Sequence, residues 1–253
     1  GILITFKDNR SGSNDIYIQH IAWDGELMMS LEGLLVSGSD NDQESSSVAY
    51  SETGQRALIC WEDFRLGTEY DIYCKTIDFL DDTTLSDEIE LAGQSNTSGG
   101  NQTNPFVFSD YSSFLIAWED SRNDVYTDIY FQEFDDTQAV LTEGGELLCE
   151  ADFDQLNPKI ELLSSAGEAT GSSYLIYWDD MRSSGKEFLN NIFAQSYTLG
   201  GASLDNDIIP LPYEYAIESA YPNPFNPFVA IQFSIQSMNS ITLSIVDVNG
   251  KEI

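Results

Sequence analysis

Four times along the chain an aromatic residue, an Asp and an Arg recur at alternate positions. The copies are Phe6-Lys7-Asp8-Asn9-Arg10, Trp61-Glu62-Asp63-Phe64-Arg65, Trp118-Glu119-Asp120-Ser121-Arg122 and Trp178-Asp179-Asp180-Met181-Arg182. A short triplet follows each one: Asp15-Ile16-Tyr17, Asp71-Ile72-Tyr73, Asp128-Ile129-Tyr130 and Asn191-Ile192-Phe193. Two chemistries suit a carboxylate and a guanidinium at this spacing. The arginines could converge on a carboxylate substrate, or each fork could donate to its own Asp, to turn carbonyls and to the Asp of the following triplet. The copies decide between them. Residues that recur identically in every repeat are spread around a ring, whereas a catalytic centre needs unlike groups at one point. The clamp is therefore the expected role, with Arg122→Ala costing about 1–3 kcal/mol through unsatisfied turn groups.

Other chemistry is sparse. There is no Gly-rich phosphate loop, nucleophile elbow or His-Glu metalloprotease motif. His20 is the only histidine, expected as a partly buried strand residue, and zinc or copper is not expected. Glycoside hydrolysis needs an asymmetric pair of carboxyl groups. With 43 Asp and Glu in the chain, sequence alone singles out no pair, so the expectation is a chain that is not an enzyme. Asp40, Asp42, Asp205 and Asp207 are weak calcium candidates that lack EF-hand spacing; no other cofactor is expected.

The acidic residues stand against 10 Lys and Arg, a net charge of −33. That balance excludes a conventional nucleic-acid binder and disfavours anionic lipid. No apolar run is long enough to span a membrane as a helix. Of five arginines, only Arg56 falls outside the repeated position. Cys60 and Cys74 flank the second copy and would face each other if Trp61 pairs with Tyr73. That arrangement permits a local disulfide without requiring one, while Cys149 reads as a small buried hydrophobe.

The repeated arginines lie 55, 57 and 60 residues apart. A period of this size marks a supersecondary unit that must stack on its neighbours to bury its apolar face. Short alternating or β-branched runs separated by turns give four strands per repeat and no helical periodicity. In the second to fourth repeats the first strands are expected at Ser47–Tyr50, Pro105–Ser109 and Lys159–Leu163. The first repeat lacks this opening strand. The expected fold is all-β: β-propeller blades of four-stranded repeats of about 55–60 residues, over residues 1–211, with a β-sandwich array as the competitor. Propellers have about 4–8 blades, so further blades are expected ahead of Gly1. Residues 212–220 read as a linker. Beyond it, Tyr221-Pro222-Asn223-Pro224-Phe225-Asn226-Pro227 forces an extended path, and Val229–Ile235 and Ile241–Val248 alternate as strands.

The heptad from Tyr221 to Pro227, with Ile231-Gln-Phe233-Ser-Ile235 and Leu243-Ser-Ile245-Val-Asp247-Val-Asn-Gly250, resembles the type IX secretion C-terminal sorting domain, an immunoglobulin-like (FlgD-like) sandwich. Residues 221–253 are expected to form the N-terminal part of such a domain. The resemblance implies recognition by the type IX machinery and a secreted or outer-membrane surface location in a Gram-negative bacterium. The upstream copies are similar to the Trp-x-Asp-x-Arg…Asp-Ile-Tyr-x-Gln propeller repeats that accompany such domains. Gln19, Gln132 and Gln195 complete that pattern, and Lys75 replaces the Gln in the second copy. The leading expectation is an exported, non-catalytic binding or adhesion module for a polysaccharide or protein. One alternative is an accessory propeller of a larger secreted hydrolase. Another is a sialidase- or arabinanase-like glycoside hydrolase, which predicts a central site whose acidic residues break the repeat symmetry. Function is expected where copies differ: Cys60 and Cys74, Lys75, and the long turn 183–190.

Overall fold

The computed structural model describes residues 1–52, 54–79, 84–91, 99–110, 113–123, 125–135, 138–139, 144–164, 172–182, 191–198, 216–221 and 230–234. All the regular structure among them is β-strand. Two compact units divide the chain, Gly1–Ile208 and Ile209–Ile253.

The first unit is a series of antiparallel propeller blades. Blade 1 has three strands, β1 (Ile2–Asp8), β2 (Asp15–Ile21) and β3 (Leu34–Ser37). Blade 2 runs β4 (Gln43–Ser51), β5 (Arg56–Asp63), β6 (Asp71–Asp78), then two short outer strands, β7 (Thr84–Leu85) and β8 (Ile89–Glu90), which both pair with β6. Blade 3 repeats this as β9 (Gln102–Ser109), β10 (Phe114–Asp120), β11 (Asp128–Asp135), β12 (Gln138–Ala139) and β13 (Glu146–Cys149). Blade 4 contains β14 (Gln155–Ser164), β15 (Ser173–Asp180) and β16 (Asn191–Thr198). The inner strands β4, β9 and β14 abut one another, which is the radial arrangement of a propeller.

Each core lies between two blades, and this explains why the second strands are apolar throughout. In β5, Ala57, Ile59 and Trp61 pack on Ile16, Ile18 and Val36 of blade 1. The alternate residues Leu58 and Cys60 pack on Ile116, Trp118 and Phe134 of blade 3. Trp178 and Ile176 bury against Leu115, Ala117 and Phe131 in the same way. A strand covered on both faces has no solvent side to mark with polar residues. The disulfide between Cys60 and Cys74 joins directly opposed residues of β5 and β6, with Cα atoms 4.1 Å apart.

The inner strands start earlier than their apolar pattern predicts, at Gln43, Gln102 and Gln155. A β-bulge interrupts each one. Pairing shifts register between Glu44 and Ser47, between Ala117 and Glu119, and between Leu156 and Lys159. Within the bulges Ser45, Asn104 and Asn157 have φ of 46°, 53° and 56°. One extra residue per bulge breaks the two-residue alternation, so only the stretch beyond it reads as strand.

The second unit, where described, pairs β17 (Ala216–Tyr221) with β18 (Ala230–Ser234). Part of the expected linker 212–220 is therefore strand. Its partner lies beyond the proline-rich stretch, out of reach of a local pattern. Pro222–Pro227, Ile241–Val248 and the remainder of the expected immunoglobulin-like sandwich lie outside the described residues.

Candidate functional site

The repeated Asp and Arg close the turn between the second and third strands of each blade. In blade 3, Asp120 is fully buried and its Oδ2 accepts from Trp118 Nε1 at 3.0 Å and from Arg122 Nε at 2.8 Å. Its Oδ1 accepts from the Arg122 backbone N–H at 2.9 Å. Asp63 and Asp180 repeat the arrangement with Trp61, Arg65, Trp178 and Arg182. Each guanidinium lies over the triplet aromatic: Arg65 is 3.7 Å from the Tyr73 centroid, and Arg10, Arg122 and Arg182 are 4.4 Å from Tyr17, Tyr130 and Phe193. Spacing indicated turn carbonyls and the triplet carboxylate as further acceptors, and the outer end of the fork meets groups farther out. It reaches the outer-strand loop of its own blade at Glu88 for Arg65 and at the Gly144 carbonyl for Arg122, and Cys149 Sγ on β13 of the preceding blade for Arg182. Stacking on the aromatic aims the fork outward. Blade 1 has Phe6 in place of Trp, so Asp8 lacks the indole donor; Arg10 still donates to it at 2.7 Å.

A second repeated signal, Asp42-Gln43, Asn101-Gln102 and Asp154-Gln155, latches each blade to the one before. The carboxylate or amide oxygen accepts from the N–H of Asn14, Tyr70 or Thr127. The following Gln N–H donates to the carbonyl of that same residue at 2.7–2.8 Å. These dipeptides thus satisfy backbone groups at the triplet entrance that a blade alone would leave open. Asp42, a calcium candidate, is occupied in this way, and Asp40 is exposed. No group of three or more metal-ligating acidic, His or Cys side chains occurs among the described residues. Asp205, Asp207 and the turn 183–190 lie outside them.

The residue between Trp and Asp was not singled out in the sequence, yet its side chain reaches the inner-strand bulges. Lys7, Glu62, Glu119 and Asp179 point away from the clamp, toward the bulges of the inner strands. Glu62 accepts the Asn104 backbone N–H at 2.7 Å, and Glu119 accepts that of Asn157 at 2.8 Å. The Asn104 side chain donates to Glu119 at 2.8 Å and to Asn157 Oδ1 at 3.2 Å, and Asn157 donates to Asp179 at 2.9 Å. At the blade 1 end, Glu44 takes Lys7 Nζ at 3.2 Å and Asn14 Nδ2 at 3.0 Å. A continuous ledge of carboxylates and amides therefore crosses the inner strands. Its non-glycine residues at positive φ are a conformation that surrounding structure must enforce. The signal for the ledge was present as variation inside an otherwise constant motif.

Environment separates the carboxyl groups. Burial raises the Glu62 pKa, opposed by the Asn104 N–H and Ser45, and the nearby Glu119 and Glu44 push it further up. Asp71, at the triplet, is raised to about 6 by burial and by Glu69, Glu90 and Asp63. Burial likewise lifts the Cys149 thiol to about 11 despite Arg182 beside it. A buried carboxyl biased toward its protonated form is the kind of group that general acid catalysis uses. His20 stands apart from this. It meets Phe79 edge-on at 5.8 Å and lines an apolar cavity of about 410 Å³ with Leu3, Val48, Ala49 and Tyr50. That cavity is at the opposite end of β4 from the ledge, and no carboxylate lines it among the described residues. Lys75 bridges blades instead of matching Gln19: its Nζ donates to the Val36 carbonyl at 2.7 Å and pairs with Glu88.

Residues 219–253 match the secretion system C-terminal sorting domain. The match marks the protein for type IX export to the cell surface or extracellular space and implies engagement with that secretion machinery. No helix among the described residues is long and apolar enough to cross a membrane. No curated protein matches the chain. Among solved structures it is similar to a GH93 α-L-arabinofuranosidase of Fusarium graminearum in complex with arabinobiose, at 10% identity and a TM-score of 0.48, covering 77% of this chain and 58% of that one. It is also similar to an endo-arabinase from Bacteroides thetaiotaomicron, at 11% identity, TM-score 0.46, and 76% and 69% coverage. A third is the Penicillium chrysogenum α-L-arabinanase with arabinobiose, at 10% identity, TM-score 0.46, and 99% and 64% coverage. The chain spans 58% of the Fusarium enzyme. All three are glycoside hydrolases, and the expectation of a chain that is not an enzyme is corrected accordingly.

Proposed function

We propose that this chain is the propeller of an exported glycoside hydrolase and that the ledge on the inner strands is its carbohydrate-facing surface. One observation carries the reading: Glu62 and Glu119 hold the same repeat position in adjoining blades and both reach Asn104, and the asymmetry between them lies in burial and partners rather than in residue type, Glu62 being buried and biased toward protonation and Glu119 also taking the Asn104 amide besides the Asn157 N–H. Glu62 would donate a proton to the leaving oxygen, and Glu119 would act as base or nucleophile. Asn104 and Asn157 would orient sugar hydroxyls.

The test is release of reducing ends from a panel of soluble polysaccharides that includes arabinan, using the secreted protein. Glu62→Gln should lower the rate by about 100-fold or more, with the melting temperature held. Absence of turnover on every member of the panel, or wild-type turnover in Glu62→Gln, would overturn the reading.

A further inference from the structure

The chain has four tryptophans. Trp61, Trp118 and Trp178 are 0–2% exposed inside the blade interfaces, while Trp23 is 84% exposed. It sits at the tip of the connection between β2 and β3, and that tip is held rigidly. The Gly25 N–H donates to the Ala22 carbonyl at 2.9 Å, and the Ala22 N–H to the Glu26 carbonyl at 2.9 Å. Asp24 Oδ1 accepts the Glu26 N–H at 3.1 Å. Below the turn Ile21 bridges Leu27, and the Met28 N–H donates to the His20 carbonyl at 2.8 Å. Gly25, at φ +89°, supplies the backbone shape the turn needs.

We propose that Trp23 is a surface platform that binds a neutral polysaccharide outside the ledge. A flat indole held out on a pinned turn offers one ring face for the apolar CH face of a sugar, with little ordering cost on binding. Exposed Asp24 and Glu26 beside it supply acceptors for sugar hydroxyls. Charge sets the polymer class. Acidic neighbours on a chain of net charge −33 repel polyuronates, nucleic acid and anionic lipid. Area sets the kind of partner. Met28 and Leu31 on the same connection are also exposed, but a stretch from Ala22 to Gly33 falls short of the roughly 20–30 residues a stable protein interface uses on each side. The choice of a glycan rests on the hydrolase reading above; the site itself does not overlap the ledge.

Because the other three tryptophans are buried, acrylamide quenching of the secreted protein's tryptophan fluorescence reports chiefly on Trp23. Soluble arabinan should protect the ring at least twofold, and polygalacturonate should not. Trp23→Ala should abolish the protection and weaken polymer binding in affinity electrophoresis by about tenfold, with Trp23→Phe intermediate and all melting temperatures within a degree or two. Equal protection by polygalacturonate, or unchanged polymer binding in Trp23→Ala, overturns the proposal. Hydrolysis of arabinan with no change at Trp23 would sink this site and leave the hydrolase reading standing. Protection of Trp23 without hydrolysis of any polymer would do the reverse.

Discussion

Asp120 and Glu119 leave the same strand one residue apart and enter different kinds of structure. Asp120 turns to the clamp, where Trp118 and Arg122 saturate it, and the same bonds recur at Asp63 and Asp180. Glu119 turns to the bulge of the next blade and accepts the Asn157 N–H as Glu62 accepts that of Asn104, while at the same position Lys7 meets Glu44 and Asp179 takes only the Asn157 side chain in the bonds described. Adjacent strand residues face opposite sides, so one motif can carry both a constant fastening and a variable surface. Constancy marks what every blade needs in order to close its turn. Variation marks a surface that neighbouring blades complete together.

Four experiments bear on that contrast, in decreasing order of expected effect. Asp120→Ala leaves Arg122 without its main partner and Trp118 without an acceptor, and should cost about 3–5 kcal/mol in chemical denaturation. A loss below about 1 kcal/mol would mean the clamp fastens nothing. Replacing Cys60 and Cys74 together by Ala removes a crosslink 14 residues apart in sequence and should cost about 2–4 kcal/mol. Reductant should then leave the melting curve of the variant unmoved.

Asp71 sharpens the comparison through pH. Its native pKa of about 6 lies above the unfolded value of about 3.9. Between those values the folded state holds a proton that the unfolded chain has released, so this group's contribution to stability falls as pH rises from about 4 to 6. Asp71→Asn should therefore raise the melting temperature at pH 7 and change it little at pH 4. An equal effect at both pH values would remove the linkage. Smallest is the stability change in Glu62→Gln, expected within about 1 kcal/mol and on the stabilising side at neutral pH, because a desolvated charge is lost while the Asn104 N–H keeps an acceptor. A large destabilisation would move Glu62 from the ledge to the fastening.

The blade pattern was legible because each blade restates it. Trp61, Trp118 and Trp178, the Asp and Arg two and four places on, and the triplets were visible as a period before any strand was placed. The opening of each inner strand was not. Ser45, Asn104 and Asn157 sit in bulges that break alternation, and the N–H groups of Asn104 and Asn157 are satisfied by glutamates of the preceding blade, 42 and 38 positions away. The strand Ala216–Tyr221 was missed for a related reason, since its partner follows the proline-rich stretch.

By itself the sequence determined that the chain is a radial all-β repeat with an export signal at its end, because periodicity and the sorting heptad are local and redundant. It also set the acid–base inventory, with nearly all its arginine committed to one repeated place. Only the tertiary structure decided where the forks point, because stacking on Tyr73, Tyr130 and Phe193 turns them toward the outer loops. The same holds for the ledge: Glu62, Asn104, Glu119 and Asn157 become neighbours when blades abut, and burial there is what raises the Glu62 pKa.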